Sequence, residues 1–180
     1  MEVHLPTFEA LPPQQAEFLA QRRERATSLY PGYHQLRSAL LAIGGLEVVL
    51  PRYDEFSESQ RSRQHYDTQQ IIARGRTWIG NDLALATMQD SNCHVNVATL
   101  RARGRGTIAT GFALSEDGLW REHSWLIQRP ESDPGIILET TVGRLLYHGY
   151  ALTVREQRRF VWSELGLIRW LLARLLSGAA

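Results

Sequence analysis

Three β-rich runs follow one another between residues 107 and 142, separated by turn signals, and that succession limits the folds open to this chain. Thr107-Ile108-Ala109-Thr110-Gly111-Phe112-Ala113-Leu114 ends at Ser115-Glu116-Asp117-Gly118. Leu119 to Gln128 alternates, with Trp120, Glu122 and Ser124 out of step with His123 and Trp125, and Arg129 to Gly135 supplies a turn with two prolines. Ile136-Ile137-Leu138-Glu139-Thr140-Thr141-Val142 is the third run. Neighbouring strands joined by tight turns form an antiparallel meander, and Tyr147 to Leu152 is expected to add an edge strand.

Helical signals flank this block. Asp90, Ser91 and Asn92 are all N-cap residue types, and the run behind them carries Val95, Val97, Ala98 and Leu100 before Gly104 and Gly106 stop it. From Thr153 onward Phe160, Val161, Leu165, Ile168, Leu172 and Leu175 recur at helical spacing, so this tail packs on the sheet or offers a dimer contact. Upstream, Gln14 to Leu29 and His34 to Ile43 read as helices separated by Pro31-Gly32. Leu46 to Leu50 is a strand or a buried turn. Arg52 to Gln70, polar and charged, is a loop or an exposed helix and the expected flexible part of the chain.

The expected fold class is therefore α+β: a helix led by Cys93 packed on an antiparallel sheet, with N- and C-terminal helices. At 180 residues one domain suffices. It divides into a helical extension over 1–70, a core over 71–152 and a C-terminal helix over 153–180.

The single cysteine leads that central helix, so no intramolecular disulfide can form. A thiol attacks carbonyl carbon as its thiolate, and two features favour that form here. A helix N-terminus places Cys93 in the positive end of the helix dipole, and His123, on a following strand, can pair with the thiolate as imidazolium. Glu139, on the next strand, is placed to orient His123. A carboxylate in so apolar a run is costly to bury alone, so it faces solvent or has a partner. The Cys93 backbone N–H and the Asn92 side chain are candidate oxyanion donors. Trp120, Trp125 and Tyr147 are candidates for lining a cleft or for the core.

Other chemistries fit less well. Adjacent side chains on a helix diverge by about 100°, which argues against His94 reaching the sulfur. Cys93, His94, His123 and His148 match no zinc spacing, so no metal and no cofactor are expected. The serines lack a Gly-x-Ser-x-Gly context. All twenty basic residues are arginine, yet net charge is only +1, which makes no case for nucleic acid. The Arg101-Ala102-Arg103-Gly104-Arg105-Gly106 cluster reads as a turn. The N-terminus lacks the basic and apolar regions of a secretory signal, and no run of about 18 apolar residues exists, so the chain is expected to be cytoplasmic with no membrane partner.

Residues from about Trp78 to Tyr150 resemble small bacterial and phage domains with a papain-like thiol core. The resemblance rests on Cys93 followed by Asn96, on Gly111-Phe112-Ala113, on His123 with Trp125, on Glu139-Thr140 and on Tyr147 with Gly149. It implies a Cys93 nucleophile, a His123 base and an acidic third member at Glu139. Two positions depart from the pattern, which has aspartate where Glu139 stands and glutamine where Asn92 stands. Such cores serve peptidases, amidases, deamidases and acyltransferases, so the expected partner is a peptide, a protein or a small amide or ester. The rival expectation is a non-catalytic binding or structural domain of the same fold, with the C-terminal helix as its interface.

Overall fold

The computed structural model describes residues 5–52, 55–80, 83–128 and 135–175, with side chains as far as Gly166. The protein is α+β, with five helices and a mixed sheet among the described residues. Its residues gather into two compact units: Met1–Ile79 with Gly111–Glu122 and Arg144–Tyr150, and Gly80–Thr110 with His123–Gly143 and Ala151–Ala180.

The first unit begins with α1 (Pro13–Leu29) and α2 (Gly32–Ile43). Pro13 opens α1 at the first helical position, where a missing N–H costs nothing. Leu19 and Ala26 from α1, with Tyr33, Leu36 and Leu40 from α2, are buried. Strand β1 (Glu47–Val49) pairs in parallel with the start of a later strand, β5 (Leu119–Gln128), placing Val48 opposite Trp120. The polar segment beyond it is a helix, α3 (Glu58–Arg74). A capping box explains why so apolar-poor a stretch is helical: the Ser57 side chain accepts from Gln60 N, and the Gln60 side chain accepts from Ser57 N. That Ser-x-x-Gln signal is present in the sequence.

Strand β2 (Arg76–Ile79) pairs antiparallel with β7 (Leu146–Ala151). With β4 (Thr107–Leu114), the strand order in this unit is β2-β7-β4-β5, with β1 on β5. The expected edge strand is thus an interior one, because β2 covers its outer side. Gly111 permits the close approach of β4 to β7, since a Cβ there would lie 2.2 Å from His148 O.

The second unit holds the other halves of β4 (Thr107–Leu114) and β5 (Leu119–Gln128), then β6 (Ile136–Glu139) and β3 (Leu83–Leu85), in the order β4-β5-β6-β3. β5 and β6 are antiparallel, with Leu126 opposite Leu138, whereas β3 runs parallel to β6 with Leu85 opposite Glu139. The sheet is therefore mixed where an antiparallel one was expected. The two parallel partners, β1 and β3, come from far upstream in the chain, so no hairpin turn announces them in the sequence.

Helix α4 (Cys93–Ala102) packs along α5 (Val154–Leu175). The start of α5 is fixed by buried Gln157, whose Nε2 donates to Leu152 O at 2.8 Å and whose Oε1 accepts from Ile108 N at 3.3 Å. Helical geometry breaks at Gly166 (φ 62°, ψ 177°). The Ile168, Leu172 and Leu175 side chains, on which the expected dimer contact depends, and residues 129–134 of the expected turn lie outside the described residues.

Candidate active site

The thiol, the imidazole and the carboxylate singled out in the sequence all fall in the second unit. Cys93 is the first helical residue of α4, preceded by Asn92 as N-cap (φ −119°, ψ 35°), whose side chain makes no capping hydrogen bond. One residue earlier, Ser91 has φ 60°, the only positive φ outside glycine among the described residues. Such backbone is costly for an L-residue and persists where the surroundings impose it. Here the restraint is buried Asn96, whose Nδ2 donates to Gln89 O at 2.7 Å while its N–H donates to Asn92 O at 2.9 Å. Asn96 thereby ties the turn before the cysteine to the helix behind it.

His123 and Glu139 meet diagonally across the antiparallel β5–β6 pair, in which Leu126 stands opposite Leu138. His123 Nε2 lies 2.8 Å from Glu139 Oε2, with Glu139 wholly buried and His123 4% exposed. Oε1 of the same carboxylate accepts from Thr140 N, Thr141 N and Thr141 Oγ1 at 2.8, 2.8 and 2.9 Å. The strand ends at Glu139, and the chain turns so that the next two amides point back at its side chain. Beyond β3 the chain stays alongside, with Ala86 N donating to Glu139 O and Met88 N to Thr140 O. A carboxylate with this many donors can be buried without the penalty that an isolated charge would carry.

His123 and the Cys93 thiol also act on one another's titration. With Nε2 engaged by Glu139, Nδ1 is the nitrogen left for sulfur. Burial disfavours the thiolate, but hydrogen bonds from His123 and His94, together with their charge, outweigh it and bring the Cys93 thiol down to about 5. Burial likewise disfavours the imidazolium, yet hydrogen bonds to Cys93 and Glu139 and the charge of both raise His123 to about 9. Between those values the pair is thiolate and imidazolium. Trp125, two residues along β5 and fully buried, lies beside the His123 ring at a centroid distance of 6.4 Å and 15° between planes.

His94 is a correction to the sequence reading. Its Nδ1 lies 3.7 Å from Cys93 Sγ, within hydrogen-bond range for sulfur. The divergence of adjacent side chains holds at Cβ, but a ring that turns back toward the helix start recovers the distance. The Phe160 ring meets it edge-to-face, 5.8 Å between centroids and 86° between planes. Asn96, which the sequence resemblance already includes, holds the turn before the cysteine, and Phe160 is a candidate by position that no local sequence pattern singles out.

Trp120 and Tyr147 lie in the first unit. Both are fully buried; Trp120 Nε1 donates to Gly44 O at 2.7 Å, and Tyr147 OH accepts from Arg144 N at 3.2 Å. Each is a core group there with its polar atom bonded inside the unit. His148 is also in that unit, its Nδ1 2.9 Å from Thr77 Oγ1. Among the described residues no group of three or more His, Cys, Asp or Glu is placed to hold a metal ion. No described helix is long and apolar enough to cross a membrane.

Comparison with protein families, with curated proteins and with solved structures finds no match to this chain.

Proposed function

We propose that the chain is a thiol-dependent acyl-transfer enzyme on a papain-like core, with Cys93 as nucleophile, His123 as proton carrier and Glu139 as the residue that positions His123. The observation that carries this reading is the buried His123–Glu139 pair at 2.8 Å, together with a thiol at a helix N-terminus whose titration His123 lowers.

In the first half-reaction the Cys93 thiolate adds to an amide or ester carbonyl carbon, and the C=O π pair moves onto oxygen. The Cys93 N–H, at the first position of α4, has no acceptor within the helix and can donate to that oxyanion. Collapse breaks the bond to the leaving amine or alcohol, which takes the His123 proton. Water or an amine then loses its proton to neutral His123 as it attacks the thioester, and the C–S bond breaks with its electron pair on sulfur. Glu139, locked by Thr140 and Thr141, keeps the His123 ring in place through both halves.

A panel of p-nitrophenyl esters tests this directly. The expected result is a stoichiometric burst of p-nitrophenolate with the acyl group located on Cys93 by mass spectrometry, and no burst from Cys93→Ser. A Cys93 whose alkylation rate rises only around pH 8.5, as for an ordinary thiol, would sink the reading.

The alternative, a binding domain, draws on α5, where Trp162 is 54% and Val154 58% exposed. It makes Trp162→Ala harmful and Cys93→Ser harmless to whatever the protein does in cells.

A further inference from the structure

We propose that His94 is a second imidazole on the reacting sulfur, so that the Cys93 thiolate is held by two histidines from different elements. The inference rests on the thiol-nucleophile reading and assigns to that site a group it does not otherwise use.

His94 and His123 reach the sulfur in different ways. His123 comes from β5, is almost sealed from solvent and is committed through Nε2 to Glu139. His94 comes from α4 itself, is half-buried, and presents Nδ1 to Sγ at 3.7 Å. Its ring has little freedom to leave, because buried Phe160 meets it edge-to-face and Gln157 anchors the turn of α5 just before Phe160. The titratable groups that share the sulfur with His94 are Cys93 on its own helix and His123 on β5, with Glu139 of β6 behind His123; on α5, Glu156 and Glu164 stand one turn either side of Phe160 in the sequence, Glu156 accepting from Thr153 N and Glu164 from Ser163 Oγ.

A second cation at sulfur has a use that His123 cannot fulfil alone. His123 changes protonation during turnover, having given its proton to the leaving group before the thioester is cleaved. When the C–S bond then breaks, sulfur receives an electron pair, and the less basic a sulfur is the faster it leaves. His94 as imidazolium lowers that basicity independently of His123, which is neutral in the acyl-enzyme and recovers a proton only as the resolving nucleophile attacks. Such a site keeps its thiol charged at neutral pH even when the His123 contribution is removed, unlike one that depends on a single imidazolium.

The test is the pH dependence of iodoacetamide alkylation of Cys93 in wild type, His94→Gln, His123→Asn and the double variant. The midpoint is the informative quantity, since a less basic thiolate is also a weaker nucleophile and rate at one pH confounds the two. The expected wild-type midpoint is about 5. Each single substitution should raise it by roughly one to two units, and the double variant should approach the ordinary value of about 8.5. An unchanged midpoint in His94→Gln, with wild type still near 5, overturns the role of His94 and leaves the thiol reading standing. An ordinary midpoint in wild type removes both. Because substitutions at the buried site can unfold it, wild-type protein with ¹³C-labelled histidine supplies an independent measurement. The titration midpoint of the His94 ring should fall once Cys93 is alkylated and its charge lost, and an unmoved midpoint overturns the proposal.

Discussion

Glu47 in the first unit and Glu139 in the second are both buried carboxylates whose two oxygens are occupied by hydrogen bonds, and the comparison turns on what donates to them. Glu47 accepts from Arg37 Nε and Nη2, from Arg23 Nη1 at 2.7 Å and from Val48 N at 2.9 Å. Burial pushes its carboxyl up, but the Arg37 hydrogen bond, the Val48 amide and the two guanidinium charges hold it below the usual range. Guanidinium does not release its proton at accessible pH, so this cluster is locked in one charge state and joins α1, α2 and β1. Glu139 has backbone and hydroxyl donors on one oxygen and an imidazole on the other. Imidazole can give up its proton, and this one bears on the titration of the Cys93 thiol. Two similar burials of the same side chain thus give one structural clasp and one site able to move a proton.

The largest expected effect is on stability. Glu139→Ala leaves buried His123 and three turn donors without their acceptor and should cost about 3–5 kcal/mol in urea unfolding. Glu47→Ala should cost about 2 kcal/mol, between a surface and a buried pair, because Arg23 and Arg37 regain partial solvation. The sharper contrast is in the thiol. Glu139→Ala should raise the Cys93 alkylation midpoint, whereas Glu47→Ala should leave it in place, and a shift in both would erase the distinction drawn here.

The pH dependence of stability separates the two regions again. His123 titrates at about 9 against an ordinary 6.5, so its contribution is complete below 6.5 and is lost as pH rises toward 9. Cys93 titrates at about 5 against 9.0, so its contribution is complete above 9.0 and is lost as pH falls to 5. Between 6.5 and 9 the folded pair and the unfolded chain hold the same single proton, and stability should be level. From 6.5 down to 5 the unfolded chain holds one more proton, and about 2 kcal/mol should disappear. The Glu47 cluster, whose carboxyl is lowered from 4.5, is lost only further into acid. Urea titrations from pH 4 to 9 on wild type and Cys93→Ala check this: the decline between 6.5 and 5 should vanish in the variant.

Two smaller changes refine the picture. Arg37→Lys keeps the charge on Glu47 but loses the fork, and should lower stability by about 1 kcal/mol with no effect on the thiol. Ser91→Gly relieves positive φ and should raise the melting temperature, by up to about 1 kcal/mol in stability. A loss of stability instead would show that the Ser91 side chain makes an interaction there that outweighs the backbone strain.

Much of the element order is legible in the chain because it is written in local signals. The strands at residues 107–128 follow alternation and turn residues, α4 begins at the cysteine behind a run of N-cap types, and α3 follows from Ser57 and Gln60 once the capping box is recognised. The parallel pairings of β1 and β3 are not legible, since neither has a turn connecting it to its partner. The interior position of β7 is missed for the same reason: its covering strand, β2, is four residues long and lies far upstream.

At the candidate site the division is similar. Residue chemistry alone nominates Cys93, His123 and Glu139, because a thiol at a helix start, a histidine and an acid in an apolar strand each call for a partner. Sequence composition and spacing also determine the α+β class. Only the tertiary structure decides that the β5–β6 register closes the His123–Glu139 distance to 2.8 Å, that Thr140 and Thr141 turn back onto the carboxylate, and that His94 bends to the sulfur under Phe160. Those outcomes depend on strand register and on side-chain rotamers set by elements distant in sequence, and hydrogen-bond geometry is decided within tenths of an ångström, a precision that no local preference encodes.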